Sequence, residues 1–156
     1  MNEPKVTVYL STYNQEPYLR EAIDSILMQK CSFSYELLIA DDCSTDGTQA
    51  IALEYKEKYP EIITTYFTPE NVGGCKKLTN CIDMGLFRGE YLAYLEGDDY
   101  WLGEDRLQTL VDLKSTIFFI KNEKCYKVYT DHEEEYQMEL LRNVLYQWAT
   151  GYRQRP

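Results

Sequence analysis

The chain is expected to form an α/β fold, a mainly parallel sheet with helices on both faces. Three observations point there. Short strand-like segments alternate with helical segments, each strand is nearly continuous in apolar character as strands buried on both faces are, and every one of the first four strands ends in a polar loop. With 156 residues, 44% apolar and 14% aromatic, the chain can bury one real core, so a single globular unit is expected.

Residues 5–11, KVTVYLS, are β-branched and aromatic and end at a polar cluster, the pattern of a short buried strand. From Pro17 the spacing becomes helical, with Leu19, Ala22, Ile23, Ile26 and Leu27 on one face and the proline in the first turn, where no N–H is required of it. YELLIA at 35–40 predicts the second strand. DDCSTDGT then closes into a helix whose start carries Asp46 and Gln49 at capping-box spacing and which runs through Ile51, Tyr55 and Tyr59 to Pro60. IITTYF at 62–67 predicts the third strand and NVGG at 71–74 a turn. The next helix has Cys75, Leu78, Ile82 and Leu86 inward and is expected to stop at Gly89. EYLAYL at 90–95 is the fourth strand, followed by a helix over 104–114. Beyond it, TIFFIKNEKCYKVYT predicts a hairpin around KNEK, and residues 131–156 an acidic-to-basic helix with Met138, Leu141, Leu145 and Trp148 on one face.

Composition excludes several classes of function. A net charge of −10 and a pI near 4.6 repel nucleic acid and anionic membrane over most of the surface, so a polyanionic ligand needs a local remedy. Five dispersed cysteines without a CxxC pair fit free thiols in a reducing compartment better than a disulfide framework or a zinc site. The N-terminus lacks a basic region followed by a long apolar stretch, and the apolar run IFFI at 117–120 is too short to span a bilayer. A cytoplasmic protein without a transmembrane segment is expected.

In an open parallel sheet, ligands bind beyond the carboxyl ends of the strands. Here the first strand delivers Ser11, Thr12, Tyr13 and Asn14 to that edge, the second Asp41 and Asp42, the third leads to Asn71 through Gly74, and the fourth delivers Glu96, Asp98 and Asp99. One such loop is ordinarily a turn or a cap; four in succession make a binding rim. DDCSTDG starts like a calcium loop, but position twelve falls on Leu53 where a bidentate glutamate is needed, so an EF-hand is excluded. Neither GxGxxG nor GxxxxGK[ST] occurs, and a phospho-acceptor receiver would carry acids after its first strand, where this chain has STYN.

Asp98 and Asp99 could hold a hard divalent cation, which would neutralise a bound diphosphate; the competing role is to cap the helix near Glu104. Asp42 can accept a hydrogen bond from a base N–H while Tyr13 stacks on the base, with uracil or guanine as suitable bases. The alternative for Asp42 is a helix N-cap, for which Ser44, Thr45 and Asp46 stand closer.

Taken in order, VTVYLSTYNQEPYLREAIDSILMQ, YELLIADDCSTDGT, ENVGG and GEYLAYLEGDDYW make the chain resemble the family 2 glycosyltransferases over about residues 4–114. That resemblance implies the Rossmann-like GT-A fold, a nucleotide-diphospho-sugar donor, a magnesium or manganese ion, and inversion at the anomeric carbon by a carboxylate base. It places Ser11, Tyr13, Asp42 and Asp98 at the nucleotide-sugar, with Tyr13 and Asp42 at the base, and Asp99 with Asp98 at the metal, Asp99 as the more direct ligand. Lys76 and Lys77 are candidates to approach phosphate, a solvated helix face being the alternative for one of them. Residues 1–114 are then the nucleotide-sugar-binding domain and 115–156 a divergent C-terminal extension of it.

Two departures from the family pattern matter. Glu96 stands where aspartate is commonest and Gly97 where serine is common, and the chain is short for a family catalytic core, so truncation is expected and no catalytic base is assigned. The leading expectation is an inverting, metal-dependent transfer from a UDP-sugar, GDP-sugar being the runner-up, to a glycan or lipid-linked acceptor in cell-surface polysaccharide synthesis. A location at the inner membrane face and self-association through the C-terminal hairpin and helix accompany it. The competing expectations are a truncated nucleotide-sugar-binding module without transfer and a plain α/β interaction domain.

Overall fold

The computed structural model describes residues 3–112 and, for the backbone, 118–121 and 124–127. Strands β1 (Val6–Thr12), β2 (Tyr35–Asp41), β3 (Ile63–Phe67) and β4 (Tyr91–Glu96) form one parallel sheet in the order β3-β2-β1-β4. Helices α1 (Glu16–Leu27), α2 (Thr48–Lys58), α3 (Gly74–Asp83) and α4 (Arg106–Asp112) complete the layers. A hairpin of β5 (Phe118–Lys121) and β6 (Lys124–Lys127) follows, antiparallel with Lys121 opposite Lys124, around the predicted KNEK. The helix expected over 131–156 lies outside the described residues. Among the described residues, no helix is long and apolar enough to cross a membrane.

Alternation along the strands explains the two-sided burial. Val6, Val8 and Leu10 of β1, with Leu37 and Ile39 of β2, face α1, α2 and α4 through Leu19, Ile23, Ile26, Ile51 and Leu107. Tyr9, Leu38, Ala40 and Leu92 face the other way, against Leu78 and Cys81 of α3 and against Phe87. Each fully buried Leu or Ile contributes roughly 1.5–3 kcal/mol, so both faces are held by apolar burial. The continuous apolar character of the strands follows from this arrangement.

Local chemistry departs from the expected boundaries in two places. α3 ends at Asp83, because Gly85 takes a positive φ of 65° just past the C-cap Met84; its buried residues are Lys77, Leu78 and Cys81. Gly89 does not stop the helix. It packs against β1, where a Cβ would lie 2.4 Å from the Thr7 nitrogen, and its N–H donates to Thr7 Oγ1 at 2.9 Å. The same corner holds Glu36, buried on β2, whose carboxylate accepts from Thr7 Oγ1 at 2.6 Å and from Arg88 N and Nε at 3.0 and 2.6 Å. This ion pair, its glutamate buried and its arginine exposed, ties the N-terminal edges of β1 and β2 to the turn before β4.

The order of the strands positions the site. The chain moves outward from β1 to β2 and β3, then α3 returns it across the opposite face to β4 on the far side of β1. Connections diverge between β1 and β4, so their carboxyl ends open a crevice where ligands of such sheets bind.

Candidate functional site

Two loops clasp each other at the carboxyl edge. Asn14, in the left-handed region at φ 52°, accepts from Thr45 N on Oδ1 at 2.8 Å and donates its own N–H to Ser44 Oγ at 2.8 Å. Gln15 N donates to Thr48 Oγ1 at 2.9 Å, and Gly47 N to Glu16 Oε2 at 2.8 Å. The capping box expected from Asp46 and Gln49 is not formed. Asp46 instead accepts from Thr48 N at 2.9 Å and from Glu16 N at 3.1 Å, so one carboxylate serves the starts of both α1 and α2. Desolvation opposes its ionisation, but these hydrogen bonds win and hold the Asp46 carboxyl below the usual aspartate value. The clasp leaves Tyr13 at its tip with 46% of its surface exposed.

The DD pair after β2 is buried. Asp41 accepts from Ser44 Oγ, from Ser44 N at 2.8 Å and from Gln49 Nε2 at 2.6 Å, which shapes the loop into α2. Asp42, 3% exposed, accepts from Thr68 Oγ1 at 3.0 Å, Val72 N at 2.9 Å and Gly73 N at 2.8 Å. Its part in anchoring NVGG was not legible in the sequence. A carboxylate offers about four acceptor positions, so these three bonds leave one of Asp42's unfilled. Cys43, at φ 61°, turns the chain sharply between Asp42 and Ser44.

The DD pair after β4 has the opposite environment. Asp98 is exposed and Asp99 half-buried. Gly97 N donates to Ser11 O at 2.8 Å, continuing the pairing of β1 with β4. A Cβ on Gly97 would meet Gln15 Oε1 at 2.4 Å and Thr12 Cβ at 3.1 Å, which explains the glycine where a serine is common in the family pattern. Thr12 Oγ1 and Gln15 Oε1, both against Gly97, are buried without a hydrogen-bond partner among the described residues. Glu96 accepts from the Tyr94 hydroxyl at 3.0 Å.

The segment beyond Asp99 is pinned from below. Trp101 is buried, its N–H donating to Ser25 Oγ at 3.1 Å, while Gln29 donates to Gly103 O at 2.8 Å and accepts from Leu107 N at 3.1 Å. Gln29 thus serves the start of α4, the task that competed for Asp98 and Asp99. Tyr100 stays exposed and Trp101 packs into the core.

Among the described residues, no three His, Cys, Asp or Glu side chains gather as a metal cage. Two adjacent carboxylates at a sheet edge nevertheless suit a hard cation that completes its shell with waters and substrate phosphates. The residues fit an ion shared with a diphosphate, not a dedicated protein cage.

Lys76 and Lys77 part company. Lys76 is exposed, whereas Lys77 is only 2% exposed and its ammonium donates to Thr12 O at 2.9 Å. Burial pushes Lys77 below the usual lysine value, opposed by Asp42, Asp41, Cys81 and Glu96.

The parallel four-stranded sheet with its helices is the Rossmann-like GT-A fold, shared with solved glycosyltransferases. The chain belongs to glycosyl transferase family 2, whose model matches residues 7–151. It is 35% identical over 106 residues to TuaG of Bacillus subtilis, described as a teichuronic acid biosynthesis glycosyltransferase, covering 68% of this chain and 40% of that protein. Among solved structures it resembles the mannosyltransferase PcManGT of Pyrobaculum calidifontis in complex with GDP-Man and Mn2+, with a TM-score of 0.61 and 27% identity over 71% of this chain and 32% of that one. TarS of S. aureus in complex with UDP-GlcNAc gives a TM-score of 0.56 and 28% identity over 69% and 30%. The chain spans 15% to 40% of the length of the curated relatives it matches.

Proposed function

We propose that residues 1–114 bind a UDP-sugar with a manganese or magnesium ion and serve the inverting transfer of its sugar to a glycan or lipid-linked acceptor at the cytoplasmic face, in cell-surface polysaccharide synthesis. One observation carries this: Tyr13, Asp42 and the Asp98–Asp99 pair come from three neighbouring strands to one edge, on the two sides of the central β1. Tyr13 offers a ring to the base, and Asp42 offers its remaining acceptor position to a base N–H, which uracil and guanine possess. Ser11 lies at the end of β1 beside Glu96, where the donor crosses towards Asp98 and Asp99. The ion, when bound, would stabilise negative charge on the departing diphosphate. The two aspartates would hold that cation at the sheet edge, where it offsets the repulsion between the diphosphate and the acidic surface.

Calorimetry with UDP in the presence of manganese tests the assignment. Binding that requires both the metal and Asp99 is expected; UDP affinity indifferent to metal removal and to Asp99→Ala would end the metal assignment. GDP measured alongside decides the second donor, which the likeness to a GDP-Man complex favours as runner-up. The short span of the chain against its relatives supports one further reading, a nucleotide-sugar-binding module without transfer. Donor binding without UDP release under any acceptor would select it.

A further inference from the structure

Lys77 is an ammonium buried beneath the rim, apart from the residues proposed to touch the donor. Burying a lone ammonium is costly, and a methionine or leucine would fill the same space without that cost. Among the described residues its ammonium makes a single hydrogen bond, to Thr12 O, and no ion pair. The same carbonyl accepts the Asp42 N–H at 3.0 Å. The Asp42 carboxylate, in turn, accepts the N–H groups of Val72 and Gly73, which lead directly into the helix that carries Lys77. A closed circuit results: α3 to Thr12, Thr12 to Asp42, Asp42 back to the start of α3. Thr12 immediately precedes Tyr13, and Asp42 is the base acceptor, so the circuit sets the ring and the carboxylate relative to each other.

We infer that Lys77 is a positioning residue for the nucleotide base, fixing the Thr12 carbonyl from below and with it the placing of Tyr13 against Asp42, without touching the diphosphate. The inference rests on the nucleotide-binding reading above. Asp41, Asp42 and Glu96 surround the ammonium with negative charge and keep the cation tolerable there.

Calorimetry of uridine, UMP and UDP against the unaltered chain, Lys77→Met and Lys77→Arg separates the possibilities. Lys77→Met is expected to lose about tenfold in affinity, the worth of one hydrogen bond from a charged donor, and equally for all three ligands because each carries the same base. Lys77→Arg, which keeps charge and donor, is expected to retain more affinity than Lys77→Met. A loss that grows from uridine to UDP would show a direct phosphate contact and overturn the inference, as would unchanged affinity. Methionine outperforming arginine would mean a space-filling role and overturn it too. Should Lys77→Met fail to fold, amide exchange at Asp42 in Lys77→Arg decides: slow exchange together with retained uridine affinity supports positioning, and slow exchange with lost affinity counts against it. If the unaltered chain binds none of the three, the nucleotide reading itself falls.

Discussion

The two Asp-Asp pairs share a dipeptide and a place at a strand end, yet one is inside the protein and the other faces solvent. Asp41 and Asp42 are buried and accept hydrogen bonds from two different loops. Asp98 and Asp99 sit on a turn whose support comes from Ser25, Gln29 and Trp101, leaving one carboxylate exposed and the other half-buried. A carboxylate that organises its own loops can offer a ligand one well-aimed acceptor. The exposed Asp98 carboxylate, by contrast, is open to solvent, where the proposed cation and diphosphate would meet it.

Substitutions should separate these two roles. The largest effect is expected for Asp42→Ala, which leaves the Val72 and Gly73 N–H groups without their acceptor: roughly 2–4 kcal/mol of stability in chemical denaturation, together with loss of nucleotide binding. A stable Asp42→Ala protein would erase the distinction. Asp98→Ala should leave stability within about 0.5 kcal/mol, as for exposed surface sites, while weakening metal-dependent UDP binding. A thermal melt showing marked destabilisation would mean that the second pair is structural as well.

Gly97→Ser probes the support of the exposed pair. Its Cβ meets Gln15 Oε1 at 2.4 Å and Thr12 Cβ at 3.1 Å, so a cost of about 1–2 kcal/mol is expected, with weaker donor binding as the turn shifts. Unchanged stability would show that Gln15 swings away freely.

The smallest effect concerns pH. Asp46 has a folded pKa below its ordinary value of 3.8, so the stability it adds is fully present above that value and is lost as pH falls through the folded pKa. The difference in stability between the unaltered chain and Asp46→Ala should therefore shrink on acidification below about pH 4. A difference independent of pH would contradict the two-helix role of this carboxylate.

Much of the fold was legible because its causes are local. Apolar continuity in VTVYL and YELLIA, helical spacing from Pro17, the KNEK hairpin and the polar strand ends are all readable within a few residues of one another. The resemblance to a transferase family rested on the same short segments. Capping misled at Asp46 because its partners come from Glu16 as well as Thr48, and Gly89 misled because its reason is the backbone of Thr7. Glu36 with Arg88 left no signal, since a single glutamate inside a strand pattern does not announce a partner far along the chain.

By itself, then, the sequence determined the alternation of strands and helices, the polar rim, and which residue types stand there, since side-chain period and turn chemistry act over neighbouring residues. Only the tertiary structure decided that β1 lies between β2 and β4, that one acid pair is buried and the other is not, and that Lys77 runs beneath the rim to Thr12. Those depend on which distant segments pack together. Strand pairing and burial, not composition, settle what each carboxylate and the lysine can touch.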